Sequence, residues 1–348
     1  MEQTRLGLKT RIRMRSATRL AVVVCLCAVV LRHTTWAGPP HTQPSGTPPR
    51  QAAVTFDDLP VISVTQLDVT ARENLTRRLL DSIVAHKVPA IGFVNEYALY
   101  GYERESHGAP DANGSALLQM WLDAGLELGN HTFAHTDLHA TSIDTFKEDI
   151  IRGEAVTGKL LQQKGLRLRY FRHPYLHTGR DLATQQAVER FLVERGYRVA
   201  PVTVDNEDYL FAAAYSKATE RGDEGMRQRI GAAYIRYTEQ AVEYSERLSS
   251  TLFGRDIKQV VLLHANALNA AYFDELARMM KKRGYAFISL DEALRDEAYD
   301  SADTYTGAES LNWLARWAVT KGVKNTENAL DDCPEVPEFV VKAADGAT

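Results

Sequence analysis

Apolar and polar positions alternate along this chain with two periods, one typical of buried strands and one typical of amphipathic helices. The short apolar runs predict strands at 52–56, 90–94, 126–129, 169–171, 197–204, 259–263 and 286–290. Segments with apolar residues every three or four positions predict helices at 70–87, 115–124, 142–164, 181–195 and 272–283. This alternation of strand and helix predicts an α/β fold with a largely parallel sheet.

Two segments fall outside the simple alternation. The interval between Asp208 and His264 is longer than a crossover needs, and its helical composition predicts a helical insertion at about 210–250. After the main domain, predicted at 52–300, a C-terminal helix and an extended tail are expected at 301–348. Trp313 and Trp317 share one face of that helix, so they either pack against the domain or stack on a sugar.

The N-terminus has the pattern of a secretory signal peptide at 1–37. A basic stretch precedes the apolar run 20–31, and Thr35 and Ala37 are small residues of the kind found at cleavage sites. The Pro- and Gly-rich segment 38–51 is predicted to be a linker. Because a membrane crossing needs about 20 apolar residues, we expect a secreted or periplasmic protein with no stable membrane span. A retained membrane anchor is the alternative.

Charge and cysteine content narrow the class of protein further. The chain has a net charge of −4, and the first 37 residues are basic, so the remainder is clearly acidic. An acidic chain argues against nucleic acid as a partner, because phosphates select positively charged surfaces. Cys333 is the one cysteine after the signal segment, so the fold must depend on its core rather than on disulfides.

Five short polar motifs lie among these elements, most of them directly after a predicted strand. They are 55–58 (TFDD), 130–135 (NHTFAH), 172–175 (RHPY), 205–209 (DNEDY) and 262–264 (LLH). In α/β barrels and open α/β sheets, loops at the C-terminal ends of strands converge on one site. The motifs therefore predict one active site at that edge.

The first two motifs contain donors suited to a metal ion. Asp57 and Asp58 follow a buried strand, and His131 and His135 lie four apart, on one face if a helix begins after residue 130. Two histidines and one carboxylate are the ligands of an open catalytic metal site, with one carboxylate left over. His139 continues the spacing and competes with His131, but it lies further from the strand end.

The remaining motifs supply candidate acid and positioning groups. Arg172 can hold a carboxylate through two hydrogen bonds, and Pro174 can orient the backbone N–H of Tyr175 toward the site. His264 ends an apolar strand, where a histidine is by default a core residue. If Asp208 contacts it, the protonated form is favoured, which suits a general acid.

In their order and spacing these motifs resemble the polysaccharide deacetylases with a NodB-type domain, the fourth carbohydrate esterase family. The resemblance covers about 52–290 and implies a distorted, incomplete (β/α) barrel that removes acetyl groups from N-acetylated or O-acetylated sugars. It implies that Asp58, His131 and His135 bind a divalent metal, by default zinc, with cobalt, nickel or manganese as alternatives. The implied substrate is an acetylated polysaccharide such as peptidoglycan or a chitooligosaccharide.

The same resemblance implies the catalytic roles. Asp57 is expected to be the base, positioned by Arg172, and the Tyr175 backbone N–H an oxyanion donor. His264 is expected to be the general acid, with Asp208 as its charge partner. Tyr209 and Tyr175 are expected to contact substrate through their rings.

Three positions depart from the family pattern. Leu59 and Tyr209 stand where Gly and Trp are usual, and Ala265 stands where Asp is frequent. A turn with positive φ at Leu59 would be strained. No proton-transfer or metal residue is missing, so an active enzyme is expected. An O-acetyl esterase acting on xylan-type polymers is the alternative enzyme, and a sugar-binding pseudoenzyme is the alternative outside catalysis.

Overall fold

Seven parallel strands form the centre of the fold in the computed structural model, which describes residues 49–100, 111–323 and 333–346. The strands are β1 (Arg50–Leu59), β2 (Ile91–Val94), β3 (Glu127–Asn130), β4 (Tyr170–Phe171), β5 (Arg198–Val199), β6 (Gln259–His264) and β7 (Tyr285–Phe287). Their order is β5-β4-β3-β2-β1-β6, with β7 paired to the start of β1. β1 to β5 thus lie side by side in chain order, β6 pairs with the other side of β1, and the C-terminal ends of these parallel strands meet at one edge.

Helices surround this sheet. They are α1 (Val69–Ala85), α2 (Ala112–Asp123), α3 (Ile143–Arg152), α4 (Thr157–Gln163), α5 (Leu182–Glu194), α6 (Asp208–Glu220), α7 (Glu224–Phe253), α8 (Ala267–Lys282), α9 (Leu290–Ala293), α10 (Trp313–Thr320) and α11 (Glu338–Asp345). Capping side chains explain several helix starts, because Asp68, Asp181 and Asn266 each accept a hydrogen bond from the backbone N–H three residues later. The predicted α/β class and the helical insertion, which comprises α6 and α7, are confirmed.

The sheet curls into a distorted, incomplete barrel. β5 pairs with β4 over only two residues, and Ala200 N–H then donates to the Phe171 carbonyl at 2.8 Å. A few residues later Val204 forms an isolated bridge with Val261 of β6. The segment after β5 therefore connects the two edges of the sheet through a few backbone hydrogen bonds, rather than as the continuous strand predicted at 197–204.

Two predicted boundaries change because of packing. β1 begins at Arg50, inside the predicted linker, because Arg50 and Gln51 pair with β7. The helix predicted at 142–164 is two helices, α3 and α4, separated by a turn at Gly153. A Cβ at Gly153 would lie 2.7 Å from the Thr132 carbonyl carbon, so the turn allows a close approach to the loop after β3.

The C-terminal part differs from prediction in its tail. Residues 338–345 form helix α11 rather than an extended segment, because Val340 and Ala343 are buried against α6. The strand predicted at 286–290 is also shorter, since β7 ends at Phe287 and α9 starts at Leu290. Trp313 and Trp317 are buried, which confirms that this helix packs on the domain.

The predicted signal peptide, 1–37, and most of the predicted linker, 38–51, lie outside the described residues. Within the described ranges, no helix has both the length and the apolar composition needed to cross a membrane.

Candidate active site

Asp57 and Asp58 stand just before the last residue of β1, where the backbone of the strand is irregular. The register of β1 against β2 shifts between Phe56 and Leu59. Asp58 lies within this shift with φ of 58°. Successive side chains of a regular strand point to opposite faces, but a bulge re-aims them. Both carboxylates can therefore serve one site.

The turn after the carboxylates does not strain Leu59, contrary to the expectation from the sequence. The positive φ falls on Asp58, and aspartate tolerates this region better than a bulky apolar residue does. The Leu59 side chain is buried against Gly92 of β2, where an added Cβ would lie only 2.3 Å from Leu59 Cδ2. Gly92 thus leaves the space that the larger side chain at position 59 occupies.

Asp57 is buried and paired with Arg172, as the motifs predicted. Arg172 Nη1 donates to the two Asp57 oxygens at 3.2 and 3.1 Å. Its Nε donates to the Ala200 carbonyl at 2.7 Å, and its Nη2 donates to Thr55 Oγ1 at 3.0 Å. The guanidinium is completely buried, so these bonds hold it in one orientation. Arg172 can therefore orient the Asp57 carboxylate.

The protonation of Asp57 depends on opposing effects. Burial raises the pKa of the Asp57 carboxyl group above its ordinary value, although the charges of Arg172, His264 and His135 oppose the rise. A carboxylate whose pKa is raised, but which is still paired with a cation, is suited to accept a proton.

Asp58, His131 and His135 come together as a candidate metal site. Asp58 Oδ1 lies 3.7 Å from His131 Nε2 and 3.6 Å from His135 Nε2. Among the described residues, this buried oxygen has no hydrogen-bond partner, an arrangement that a cation would satisfy. His131 Nδ1 donates to the Arg172 carbonyl at 2.9 Å, which leaves the Nε2 lone pair free.

The electrostatics of the group also fit a metal. Burial lowers the pKa of His131 to about 3, and the neighbouring His135 adds to the fall. A histidine must be neutral to bind a metal, so this side chain is ready to act as a ligand. One carboxylate and two imidazoles are donors that zinc and related divalent ions accept.

No helix begins after residue 130, so the condition for placing the two histidines on one helix face is not met: residues 131–136 form a loop. Thr132 and His135 have positive φ, of 64° and 53°. The Asn130 side chain accepts from the Thr132 N–H at 2.7 Å, and Asp149 of α3 accepts from the Ala134 N–H at 3.0 Å. A non-glycine residue with positive φ costs about 1–3 kcal/mol, and these contacts offset that cost. They also fix the orientation of the two imidazoles.

His264 and Asp208 form the second polar pair. Asp208 Oδ1 lies 2.5 Å from His264 Nδ1, and Asp208 Oδ2 accepts from the His264 backbone N–H at 2.9 Å. Two residues missed in the sequence complete the group, since Asn266 and Asn269 both donate to Asp208 Oδ2. The signal for Asn266 was an asparagine at a helix start two residues after the LLH motif.

The charge of His264 is governed by this pair. Burial by itself would lower the pKa of His264, but the charge and hydrogen bond of Asp208, together with Asp58 and Asp57, raise it to about 10. His264 is thus held as an imidazolium that can donate from Nε2.

The two tyrosines expected to contact substrate lie at the opening of the candidate active site. Tyr175 is 50% exposed and Tyr209 is 53% exposed. The Tyr175 ring stands edge-on to His135, with the ring centres 4.4 Å apart. Its backbone N–H has no acceptor among the described residues, and its φ is 57°. An N–H in this state can bind a developing oxyanion.

The other histidines near the mouth lie outside the candidate metal site. His139 and His177 stack with parallel rings 3.7 Å apart, and Asp137 lies close enough to complete a second Asp-His-His group. Because one ion cannot lie in the planes of two stacked rings, we assign no metal to this group. His173 is buried beside Phe171, and burial lowers its pKa to about 3, as expected for a core histidine.

Comparisons with known structures return deacetylases and proteins of carbohydrate esterase family four. A chitin deacetylase from Colletotrichum lindemuthianum is 22% identical, with a TM-score of 0.47 over 71% of this chain and 88% of that one. A family 4 carbohydrate esterase from Streptomyces lividans is 20% identical, with a TM-score of 0.45 over 70% of this chain and 95% of that one. A family 4 carbohydrate esterase pseudoenzyme from Bacillus anthracis is 15% identical, with a TM-score of 0.46 over 71% of this chain and 66% of that one.

The family model of the polysaccharide deacetylases matches residues 45–193. The matched segment runs from β1 to α5 and contains the Asp57–Asp58 pair, both candidate metal histidines, Arg172 and Tyr175. Asp208 and His264 lie beyond its end. The match over residues 45–193 agrees with the resemblance to the polysaccharide deacetylases drawn from the motifs.

Proposed function

We propose that this protein is a metal-dependent hydrolase that removes acetyl groups from N-acetylated sugars of a polysaccharide, such as peptidoglycan or a chitooligosaccharide. One observation carries the proposal: the Asp57–Arg172 pair, the Asp58–His131–His135 group and the Asp208–His264 pair lie around one mouth. A base, a set of metal ligands and an acid are the parts that amide hydrolysis needs.

We assign the metal ligands to Asp58, His131 and His135, with zinc as the expected ion and cobalt, nickel or manganese as substitutes. When bound, the ion would supply a Lewis acid that activates water and polarises the acetyl carbonyl. Arg172 holds Asp57 toward the site, so that Asp57 takes the proton of the attacking water. The Tyr175 N–H donates to the oxygen that gains negative charge.

The state of His264 favours an amide over an ester as substrate. An amine is a poor leaving group and must be protonated as the carbon–nitrogen bond breaks, whereas the alkoxide of an O-acetylated sugar is a better leaving group and depends less on an acid. Asp208 keeps His264 protonated with its Nδ1 engaged, so Nε2 carries the proton that the amine needs. This supports N-deacetylation as the reaction.

Acetate release from peptidoglycan, chitooligosaccharides and acetylated xylan tests the proposal. We expect acetate from an N-acetylated polymer, loss of activity after chelation, and recovery after adding Zn²⁺. Asp57→Asn protein serves as the control for contaminating activity. Acetate from xylan alone would replace the proposal with an O-acetyl esterase, and bound metal without acetate from any polymer would favour a sugar-binding pseudoenzyme.

We also propose that the protein is secreted or periplasmic, on the basis of the signal-like segment 1–37. Fractionation of expressing cells, with mass measurement of the product, tests this. A secreted or periplasmic chain that begins at Gly38 is expected. An intact chain in the membrane fraction would instead indicate that the apolar segment is retained as an anchor.

A further inference from the structure

The loop that carries the candidate oxyanion donor has an unusual backbone. Tyr175 and Leu176 are consecutive non-glycine residues with φ of 57° each. Each such residue costs about 1–3 kcal/mol, and the conformation persists only where surrounding contacts impose it. The hydrogen bonds within the loop, from Leu176 N–H to the His173 carbonyl and from His177 N–H to the Pro174 carbonyl, are those of a single turn.

Contacts from the C-terminal extension hold the residues that follow Tyr175. Arg316 of α10 donates through Nη1 to the Leu176 carbonyl at 3.2 Å and through Nη2 to Thr178 Oγ1. Between them, His177 Nε2 lies 3.0 Å from Ser310 Oγ. Three consecutive residues of the loop are therefore each bound by a side chain more than 130 positions further along the chain.

Packing alone does not explain why an arginine is buried at position 316. Its side chain is only 1% exposed, and a buried guanidinium is costly unless it is neutralised and hydrogen-bonded. Asp303 neutralises it, accepting from Nε at 2.8 Å, and the Tyr305 carbonyl accepts from Nη2 at 3.3 Å. An apolar residue could fill this space at lower cost. The arginine therefore points to a need for defined geometry at the acceptors.

We propose that the C-terminal extension is part of the catalytic unit, because Arg316 is a positioning residue that holds the Leu176 carbonyl and Thr178 and so keeps the Tyr175 N–H aimed at the oxyanion. This inference rests on the proposed deacetylase function. It extends the site beyond the family match, which ends at residue 193. Asp303 acts with Arg316 by fixing the orientation of its guanidinium.

The test compares Arg316→Ala and Arg316→Lys with a matched control, Arg255→Ala. Arg255 also pairs with a buried carboxylate, that of Asp296, and within the described ranges no hydrogen bond or ion pair joins it to the loop that carries Tyr175. Loss of one oxyanion donor lowers kcat by about 10²–10³-fold, and a misplaced group costs up to about 10²-fold. We expect Arg316→Ala to lower kcat on an N-acetylated oligosaccharide by about 10–10²-fold, with KM and metal content little changed.

Arg316→Lys should recover part of the lost kcat, because an ammonium can reach one of the two loop acceptors but not both. Arg255→Ala should lower thermal stability without this fall in kcat. Equal falls in kcat in the Arg255 and Arg316 variants would overturn the inference. If Arg316→Ala does not fold, Arg316→Lys and Asp303→Asn allow the same comparison.

Hydrogen exchange provides a readout that does not require activity. The Leu176 and His177 amides should exchange faster in Arg316→Ala than in the parent chain, and at the parent rate in Arg255→Ala. Unchanged exchange at both amides would overturn the inference even in an active enzyme. Absence of acetate release by the parent chain would reject the proposed function instead, and the exchange data would still decide whether Arg316 orders the loop.

Discussion

Asp57 and His264 are register partners on the adjacent parallel strands β1 and β6. The proposed base and the proposed acid therefore lie side by side at the C-terminal edge of the barrel, although 207 positions separate them in the sequence. Each carries its own charge partner, Arg172 for Asp57 and Asp208 for His264.

The metal ligands can be tested by removing one histidine. His135→Ala should fold but retain little bound metal and little activity, because a site with two protein ligands binds weakly. Metal content by atomic absorption is the measurement. His139→Ala is the control, since His139 stacks on His177 outside the candidate site and its removal should leave metal content unchanged. Stoichiometric metal in His135→Ala would refute the ligand assignment.

The two adjacent aspartates should differ in effect. Asp57→Asn removes the base while preserving its shape, and turnover should fall by roughly 10²–10⁴-fold with metal still bound. Asp58→Asn should mainly lower metal affinity, because it replaces the ligand whose oxygen has no other partner among the described residues. Measuring kcat and metal content together separates the roles. The reverse pattern would mean that the roles are exchanged.

The role of His264 depends on the leaving group. His264→Ala should cause a large loss on an N-acetylated sugar and a much smaller loss on an activated aryl acetate, because only the amine must be protonated. Metal content should not change. Asp208→Asn should have the same pattern more weakly. Equal losses on the two substrates would show that His264 supports the site rather than acting as the acid.

The His264–Asp208 pair should also make stability depend on pH in metal-free protein. The folded-state pKa of His264 is raised to about 10, above its ordinary value near 6.5. The stabilisation is therefore fully present below about pH 6.5 and is lost as pH rises through about 10. Denaturant unfolding in chelator should show this loss in the parent chain and a smaller one in Asp208→Asn.

The surface variant Asp123→Asn, which removes an exposed pairing with Lys164, is the control for that comparison. Its stability should follow the pH dependence of the parent chain. If the unfolding free energy of Asp208→Asn had the same pH dependence as that of the parent chain, Asp208 would not set the charge of His264.

The contact between Leu59 and Gly92 predicts a coupled stability effect. Gly92→Ala should destabilise the protein by about 1–3 kcal/mol through overpacking, because its Cβ would lie 2.3 Å from Leu59 Cδ2. Adding Leu59→Ala should remove that penalty, which a double-mutant cycle of unfolding free energies measures. Gly158→Ala, at a position with open space, should be close to neutral. Additive effects at positions 59 and 92 would contradict the packing argument.

The residues of the proposed site could be identified from the sequence alone. Asp57, His131, Arg172 and His264 could be found because each stands at the end of an apolar run, and parallel strands bring such ends together at one edge. The helical period of the insertion likewise predicted α6 and α7. These signals are local in the sequence, so they can be recognised without knowledge of the fold.

The orientation of those side chains could not be predicted, because it depends on contacts between segments distant in sequence. The positive φ at Asp58 and His135 and the loop at 131–136 depend on partners such as Asp149, which lie on other elements. Helix α11 forms because α6 buries its apolar face, a contact that local composition does not encode. Arg316 contacts the loop that carries Tyr175 for the same reason: packing between segments distant in sequence places its buried charge there.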